Sequence, residues 1–245
     1  IASADGLLSL RGCVIGADNA YIMATVTAPD GIRVLKANII ADGDTFEAEF
    51  RLENAQLWDE FERNVYRLTL QCSEDIYNTT FGFVTFSNID RKLLVNGGES
   101  FLRGKHDGLI FPLTGYAPCD VNEWKERLKI AVSYGINHYR FHTCCPPDAA
   151  FTAADELGIY MEPELPFWGT IAAKGEDGYN EEEQNYLINE GIRIIREFSH
   201  HPSFVMMSLG NELWGSRERL GEIIDILRCE NHSIYFTSGS NNFQF

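Results

Sequence analysis

From about residue 100 onward, short strand-like segments alternate with amphipathic segments of helical period, and no other feature limits the fold as tightly. Runs at 101–105, 137–141, 159–164, 204–209 and 234–237 read as strands. The helices between them have marked ends. Asp120 with Glu123 is an aspartate version of the capping box, ahead of Trp124, Leu128 and Ala131 at i, i+4 and i+7, and this helix stops near Gly135. The next runs from Asp148 to Leu157 and is closed by Gly158. Asn180 with Glu183 opens a third that presents Leu187, Ile194, Ile195 and Phe198, and a fourth presents Leu220, Ile223, Ile224 and Leu227. Such alternation predicts a parallel sheet with crossover helices. About five strands and four helices stand against the eight of each in a closed barrel. Residues 91–245 therefore read as an incomplete (β/α)8 TIM barrel, about strands 1–5.

The first ninety residues follow another rhythm. Strands are expected at 20–27, 34–40, 45–52, 65–71 and 79–86, with turns at Pro29-Asp30-Gly31 and Asp42-Gly43-Asp44. Phe46, Ala48 and Phe50 alternate with Glu47 and Glu49, the period of a half-buried strand. Residues 1–90 read as an antiparallel β-sandwich that supports the second part. Asn96-Gly97-Gly98 marks a turn between the two.

A formal net charge of −16, with no cluster of Lys or Arg, argues against a nucleic-acid or anionic-membrane partner. No apolar run approaches the roughly 20 residues of a membrane span. The chain opens at Ile1 in what reads as mid-domain sequence, without a secretory signal pattern, so a further N-terminal segment is expected and the compartment stays open, periplasm and cell exterior included. Cysteines 13, 72, 119, 144, 145 and 229 show no zinc-type spacing and read as buried thiols.

Chemistry collects at the strand ends. The second strand ends in Arg140-Phe141-His142, the third in Glu162-Pro163-Glu164, and the fourth in Asn211-Glu212. Trp168 and Trp214 follow the third and fourth. In an α/β barrel these ends converge on the catalytic face. Carboxylates and an amide bind hydroxyls, indoles stack on a pyranose, and a carboxylic acid protonates a leaving oxygen. The adjacent His200-His201 pair precedes the fourth strand, away from these groups, and reads as structural.

Ordered segments resemble glycoside hydrolase family 2. These are Leu57-Trp58 with Asn64-Val65-Tyr66-Arg67-Leu68, Phe81-Gly82-Phe83, Asn96-Gly97 with Phe101-Leu102-Arg103-Gly104, Asn137-His138-Tyr139-Arg140, Asp155 to Tyr160, and His201-Pro202-Ser203 through Ser208-Leu209-Gly210-Asn211-Glu212. The resemblance implies that the sandwich is immunoglobulin-like and that the parent protein is an O-glycosyl hydrolase, a retaining exo-β-glycosidase of β-galactosidase-like type acting on carbohydrate. Glu212 is then the general acid/base. Asn211 hydrogen-bonds the sugar 2-hydroxyl, and Arg140 and Glu164 line the pocket; His142, Trp168 and Trp214 join them as substrate-binding candidates from their places at the strand ends, the family's histidine falling on Thr143. No metal ligand or cofactor is assigned, although some relatives hold a divalent ion near the acid/base, and a homo-oligomer is compatible with this reading.

Three departures stand out. His142-Thr143-Cys144-Cys145-Pro146 replaces the family's serine-histidine-tyrosine-proline, and Pro163-Glu164-Leu165-Pro166 replaces its aspartate-glutamate-alanine-asparagine. The family's nucleophile, a glutamate ending strand seven, matches no residue here. The chain on its own is therefore expected to be inactive or nearly so, and prone to associate. A non-catalytic sugar-binding protein on the same fold, and an endo-glycanase of a related barrel, are the rival readings.

Overall fold

The computed structural model describes residues 1–242. The N-terminal part holds β1 (Leu7–Cys13), β2 (Tyr21–Thr27), β3 (Arg33–Ile40), β4 (Thr45–Arg51), β5 (Tyr66–Cys72) and β6 (Asp75–Phe81). They form two antiparallel sheets, β1-β4 and β3-β2-β5-β6. Inward residues alternate as the pleat demands. Ile22, Ala24 and Val26 of β2 are buried, and Phe46 of β4 packs with Ile22 and Ile39. Leu8, Val26, Leu52, Tyr66, Leu68, Phe81 and Phe83 fill the core between the sheets.

A short meander follows: β7 (Phe86–Ile89), β8 (Lys92–Val95) and β9 (Gly98–Ser100). Its two turns carry consecutive positive φ values, at Asp90-Arg91 and at Asn96-Gly97, the geometry that matches the twist of a two-residue hairpin. The meander lies against the second part. Trp58, Phe86 and Val95 share a cluster with Tyr160, Val205 and Met206, and the Trp58 indole N–H donates to the Asp155 carbonyl at 2.8 Å.

The second part alternates β10 (Gly104–Asp107), α1 (Val121–Ser133), β11 (His138–Phe141), α2 (Asp148–Leu157), β12 (Tyr160–Pro163), β13 (Thr170–Ile171), α3 (Glu181–Phe198), β14 (Met206–Ser208), β15 (Trp214–Gly215), α4 (Arg217–Arg228) and β16 (Tyr235–Thr237). β10, β11 and β12 pair in parallel, as do β14 and β16. The parallel bridges Met161–Phe204 and Glu164–Ser208 join the two groups. Five parallel strands thus run in chain order with four crossover helices.

The helix ends obey local chemistry. Asp120 Oδ1 accepts the N–H groups of Asn122 and Glu123 at 2.9 and 3.0 Å, and Asn180 Oδ1 accepts that of Glu183 at 3.1 Å. Gly158 closes α2 in the left-handed conformation, where a Cβ would stand 2.5 Å from the Glu60 carbonyl oxygen. Trp124, Leu128 and Ala131 are buried as their spacing predicts. Tyr139, Phe141, Met161 and Met207 face the helices in the larger core, while Arg140, Glu162, Glu164 and Ser208 occupy the alternate positions.

The order of elements differs from the sequence reading in places. The expected strand at 79–86 is divided between β6 and β7, and the one at 101–105 lies at Gly104–Asp107. β1, β8, β9 and the two-residue β13 and β15 were not anticipated. Among the described residues, no helix is long and apolar enough to cross a membrane. Cys13, Cys119 and Cys229 are exposed rather than buried, because each sits at the end of its element or in a loop.

Candidate active site

The site forms where β11, β12, β14 and β16 end. Arg140 is the second-to-last residue of β11 and points across its neighbours. Its Nε donates to Glu164 Oε1 and its Nη2 to Asn211 Oδ1, each at 2.7 Å. Glu164 is fully buried. Its Oε1 also accepts from the Ser240 hydroxyl, and its Oε2 accepts the Thr143 N–H at 2.8 Å. A carboxylate out of water needs its lone pairs filled, and here a cation, a hydroxyl and an amide fill them.

The same network orients Asn211. Its side-chain oxygen is taken by Arg140, so its NH2 group is left as the donor for a ligand. Asn211 is itself buried, and its backbone N–H reaches the Phe167 carbonyl at 3.1 Å. Gly210, just before it, has φ +138, and a Cβ there would stand 2.3 Å from the Phe167 carbonyl oxygen. No other residue lets the two loops approach so closely.

Glu212 is half-buried, with a left-handed φ of +49. Its backbone N–H donates to the Ser240 carbonyl at 2.8 Å, and its Oε1 accepts from Asn241 Nδ2 at 2.9 Å. Thr143 also has positive φ, +52, which is costly for a β-branched residue. Two non-glycine residues held in sparsely populated backbone regions beside one another's partners mark this as a place where surrounding structure dictates conformation.

The aromatic groups line up at the rim. The His142 ring meets Trp168 edge-on at 5.5 Å and His106 at 5.1 Å, and His142 Nδ1 lies 3.2 Å from the Thr143 hydroxyl. Trp168 and Trp214 are 61% and 46% exposed, so part of each indole remains open to a ligand. A parallel ribbon of Thr170-Ile171 against Trp214-Gly215 ties their loops together.

All seven residues singled out in the sequence therefore sit at strand ends or just past them. Arg140, Glu164 and Asn211 are directly bonded, Glu212 follows Asn211, and His142 touches Trp168. Ser240, Asn241 and Asn242 were not anticipated. Asn242 Oδ1 accepts the Leu213 N–H at 2.8 Å, so three residues after β16 hold the Asn211–Leu213 turn. Their signal was present in the chain: polar residues directly after the fifth strand, the position that flagged the others. Among the described residues, no three His, Cys, Asp or Glu donors gather at Glu212.

His201 is buried, with Nδ1 2.6 Å from Asp155 Oδ2 and Nε2 3.1 Å from Asp148 Oδ1. Burial disfavours its charge, but the two aspartates outweigh this and raise it to about 9. Burial, then the neighbouring His201 charge, lowers His200 to about 4.

Comparison with known proteins agrees with this architecture. No family model matches the chain. A putative beta-glucuronidase of Formosa agariphila is 26% identical over 203 residues, 80% of this chain and 24% of that protein. The beta-galactosidase large subunit of Lactobacillus acidophilus is 24% identical over 226 residues, 85% of this chain and 36% of that protein. Among solved structures, a beta-glucuronidase of Parabacteroides merdae superposes with a TM-score of 0.77 at 19% identity, covering 96% of this chain and 32% of that one. A glycosyl hydrolase family 2 member of Bacteroides cellulosilyticus does so with a TM-score of 0.80 at 16% identity, covering 98% and 33%. The chain resembles family 2 glycoside hydrolases in both sequence and fold. It spans 24% to 36% of the lengths of these relatives.

Proposed function

We propose that the protein containing this chain is an O-glycosyl hydrolase, a retaining exo-β-glycosidase that removes terminal β-linked sugars. In this reading residues 1–90 are the immunoglobulin-like sandwich, and residues 91–245 supply the first five strands of a (β/α)8 barrel. The observation that carries it is the position of Asn211-Glu212 at the carboxyl end of β14, with Asn211 fixed by Arg140 and Glu212 bonded by Asn241.

Glu212 protonates the glycosidic oxygen as its bond to the anomeric carbon breaks. A second carboxylate, about 5–5.5 Å away, attacks that carbon from the opposite side. This carboxylate is assigned to the part of the relatives' length that the chain does not span. Glu164 is not promoted to the role, because both its oxygens are engaged and it is fully buried. Glu212 then takes a proton from water, which hydrolyses the glycosyl-enzyme.

Asn211 donates to a sugar hydroxyl through its free NH2, and Trp168, Trp214 and His142 flank the ring. Glu164 acts through Arg140 as a positioning residue. The relatives' names, a glucuronidase and a galactosidase, support turnover over bare sugar binding.

The test is hydrolysis of nitrophenyl β-glucuronide, β-galactoside and β-mannoside by the full-length protein and by Glu212→Gln. Release of a monosaccharide, first as its β-anomer, with a loss on the order of 10³-fold in the variant, is expected. Binding of these sugars without turnover would sink the proposal.

A further inference from the structure

Away from the proposed site, two adjacent histidines and two aspartates meet between α2 and the turn that enters β14. Asp155 is committed on both oxygens: Oδ2 to His201 Nδ1 at 2.6 Å, and Oδ1 to the Ser203 N–H at 3.0 Å. That makes Nδ1 a donor to Asp155 and leaves Nε2, once an incoming cation has displaced its proton to solvent, as the nitrogen that coordinates. His201 Nε2 lies 3.1 Å from Asp148 Oδ1. The His200 ring is stacked beside it, with centroids 4.0 Å apart and planes tilted by 38°. One donor atom each from Asp148, His200 and His201 lies within 4.8 Å of the other two.

The donor set is that of a borderline-soft divalent ion. Two imidazoles and one carboxylate suit zinc, at bond lengths of about 2.0–2.2 Å. A ligating imidazole whose other nitrogen is held by a carboxylate is the usual outer-shell arrangement around such an ion. The His201–Asp155 half is preformed, with side chains 1% and 2% exposed. The Asp148 side chain is 65% exposed, with Oδ1 already at the edge of this pair.

We propose that Asp148, His200 and His201 form a binding site for a zinc-type divalent cation, clamping the start of α2 to the turn before β14. Water completes the coordination. The histidines precede β14 whereas Glu212 follows it, so the clamp is structural and independent of the proposed hydrolysis. A plain ion pair between His201 and Asp148 makes no use of His200, and that residue separates the two readings.

The test is calorimetric titration of the chelator-treated, full-length protein with zinc chloride. A saturable site of micromolar affinity is expected, weakened at least about tenfold in His200→Asn and in Asp148→Asn and unchanged in Glu212→Gln. Cobalt(II) in place of zinc should give visible absorption that His200→Asn abolishes. Absence of saturable binding, or equal affinity in wild type and His200→Asn, overturns the proposal. Should Asp148→Asn fail to fold, the half-buried His200 variant decides alone.

Discussion

Arg140 Nη2 and Asn211 Oδ1 lie 2.7 Å apart although 71 residues separate them in the chain. Through this bond the end of β11 sets which way an amide beyond β14 faces. The same guanidinium holds Glu164, which in turn holds Thr143 and Ser240. Four strand ends are thereby locked around one cation.

Removing that cation should cost stability before it costs chemistry. Arg140→Ala leaves the Glu164 carboxyl group without its ionic partner in a fully buried position. A loss of about 3 kcal/mol is expected. Arg140→Lys keeps the charge but cannot form both bonds at once, and should fall between. Urea unfolding of the full-length protein measures both, and an unchanged midpoint in Arg140→Ala would show that Glu164 does not depend on this pair.

Asn211→Ala tests the free NH2. If it donates to the sugar 2-hydroxyl, kcat/KM should drop about 100-fold, equivalent to roughly 2.7 kcal/mol. With a 2-deoxy substrate the difference between wild type and variant should largely vanish. An equal loss on both substrates would place Asn211 in structural support alone.

Gly210→Ala introduces a Cβ 2.3 Å from the Phe167 carbonyl oxygen, at a φ of +138. The turn carrying Asn211 and Glu212 then has to move away from β12. Destabilisation of about 2 kcal/mol or more is expected, together with loss of activity. Thermal unfolding and turnover should fall together, and wild-type behaviour would mean that the two loops are not in contact.

Alkaline pH should unfold the protein ahead of what its surface charge suggests. Burial raises Tyr139 and Tyr160 to about 12, and burial, with the charges of Asp107 and Glu164, raises Cys144 to about 11; burial also raises Cys145. Folded, these groups keep their protons. Unfolded, the thiols release them near the ordinary value of 9 and the phenols near 10. The unfolded state then binds fewer protons, so stability falls as pH rises from 9 toward 12 and is unaffected below that window. Urea midpoints across this range check the slope, and Cys144→Ala should make it shallower. A flat profile to pH 11 would contradict it.

Much of this fold is legible because its signals are local. Asp120, Asn180 and Gly158 announce helix ends by chemistry that acts within four residues, and the helix from Asp148 to Leu157 has the expected bounds. Strands β11, β12, β14 and β16 fall inside their expected ranges because each is a short strand-forming segment set between helices with marked ends. The elements that were missed depend on distant partners. β1 carries only the short alternation Leu8-Ser9-Leu10-Arg11, and its pairing with β4, where Leu8 meets Phe50, fixes it as a strand. β13 and β15 are two residues each and pair with one another across a long stretch of chain, Thr170 with Trp214 and Ile171 with Gly215. The same distinction runs through the site. Glu212 and Asn211 stand out by sequence position; Ser240 and Asn241 hold a comparable place after the fifth strand, but their bonds to Glu164 and Glu212 exist because β16 lies beside β14.

Chemical rescue tests the role of Glu212 most directly. In Glu212→Ala of the full-length protein, an activated aryl β-glycoside should still form the glycosyl-enzyme but lack the base for water. Azide, which needs no base, should restore turnover and yield the β-glycosyl azide. Wild-type hydrolysis in the variant, or no product with azide from a folded protein, would contradict the assignment of Glu212 as acid/base.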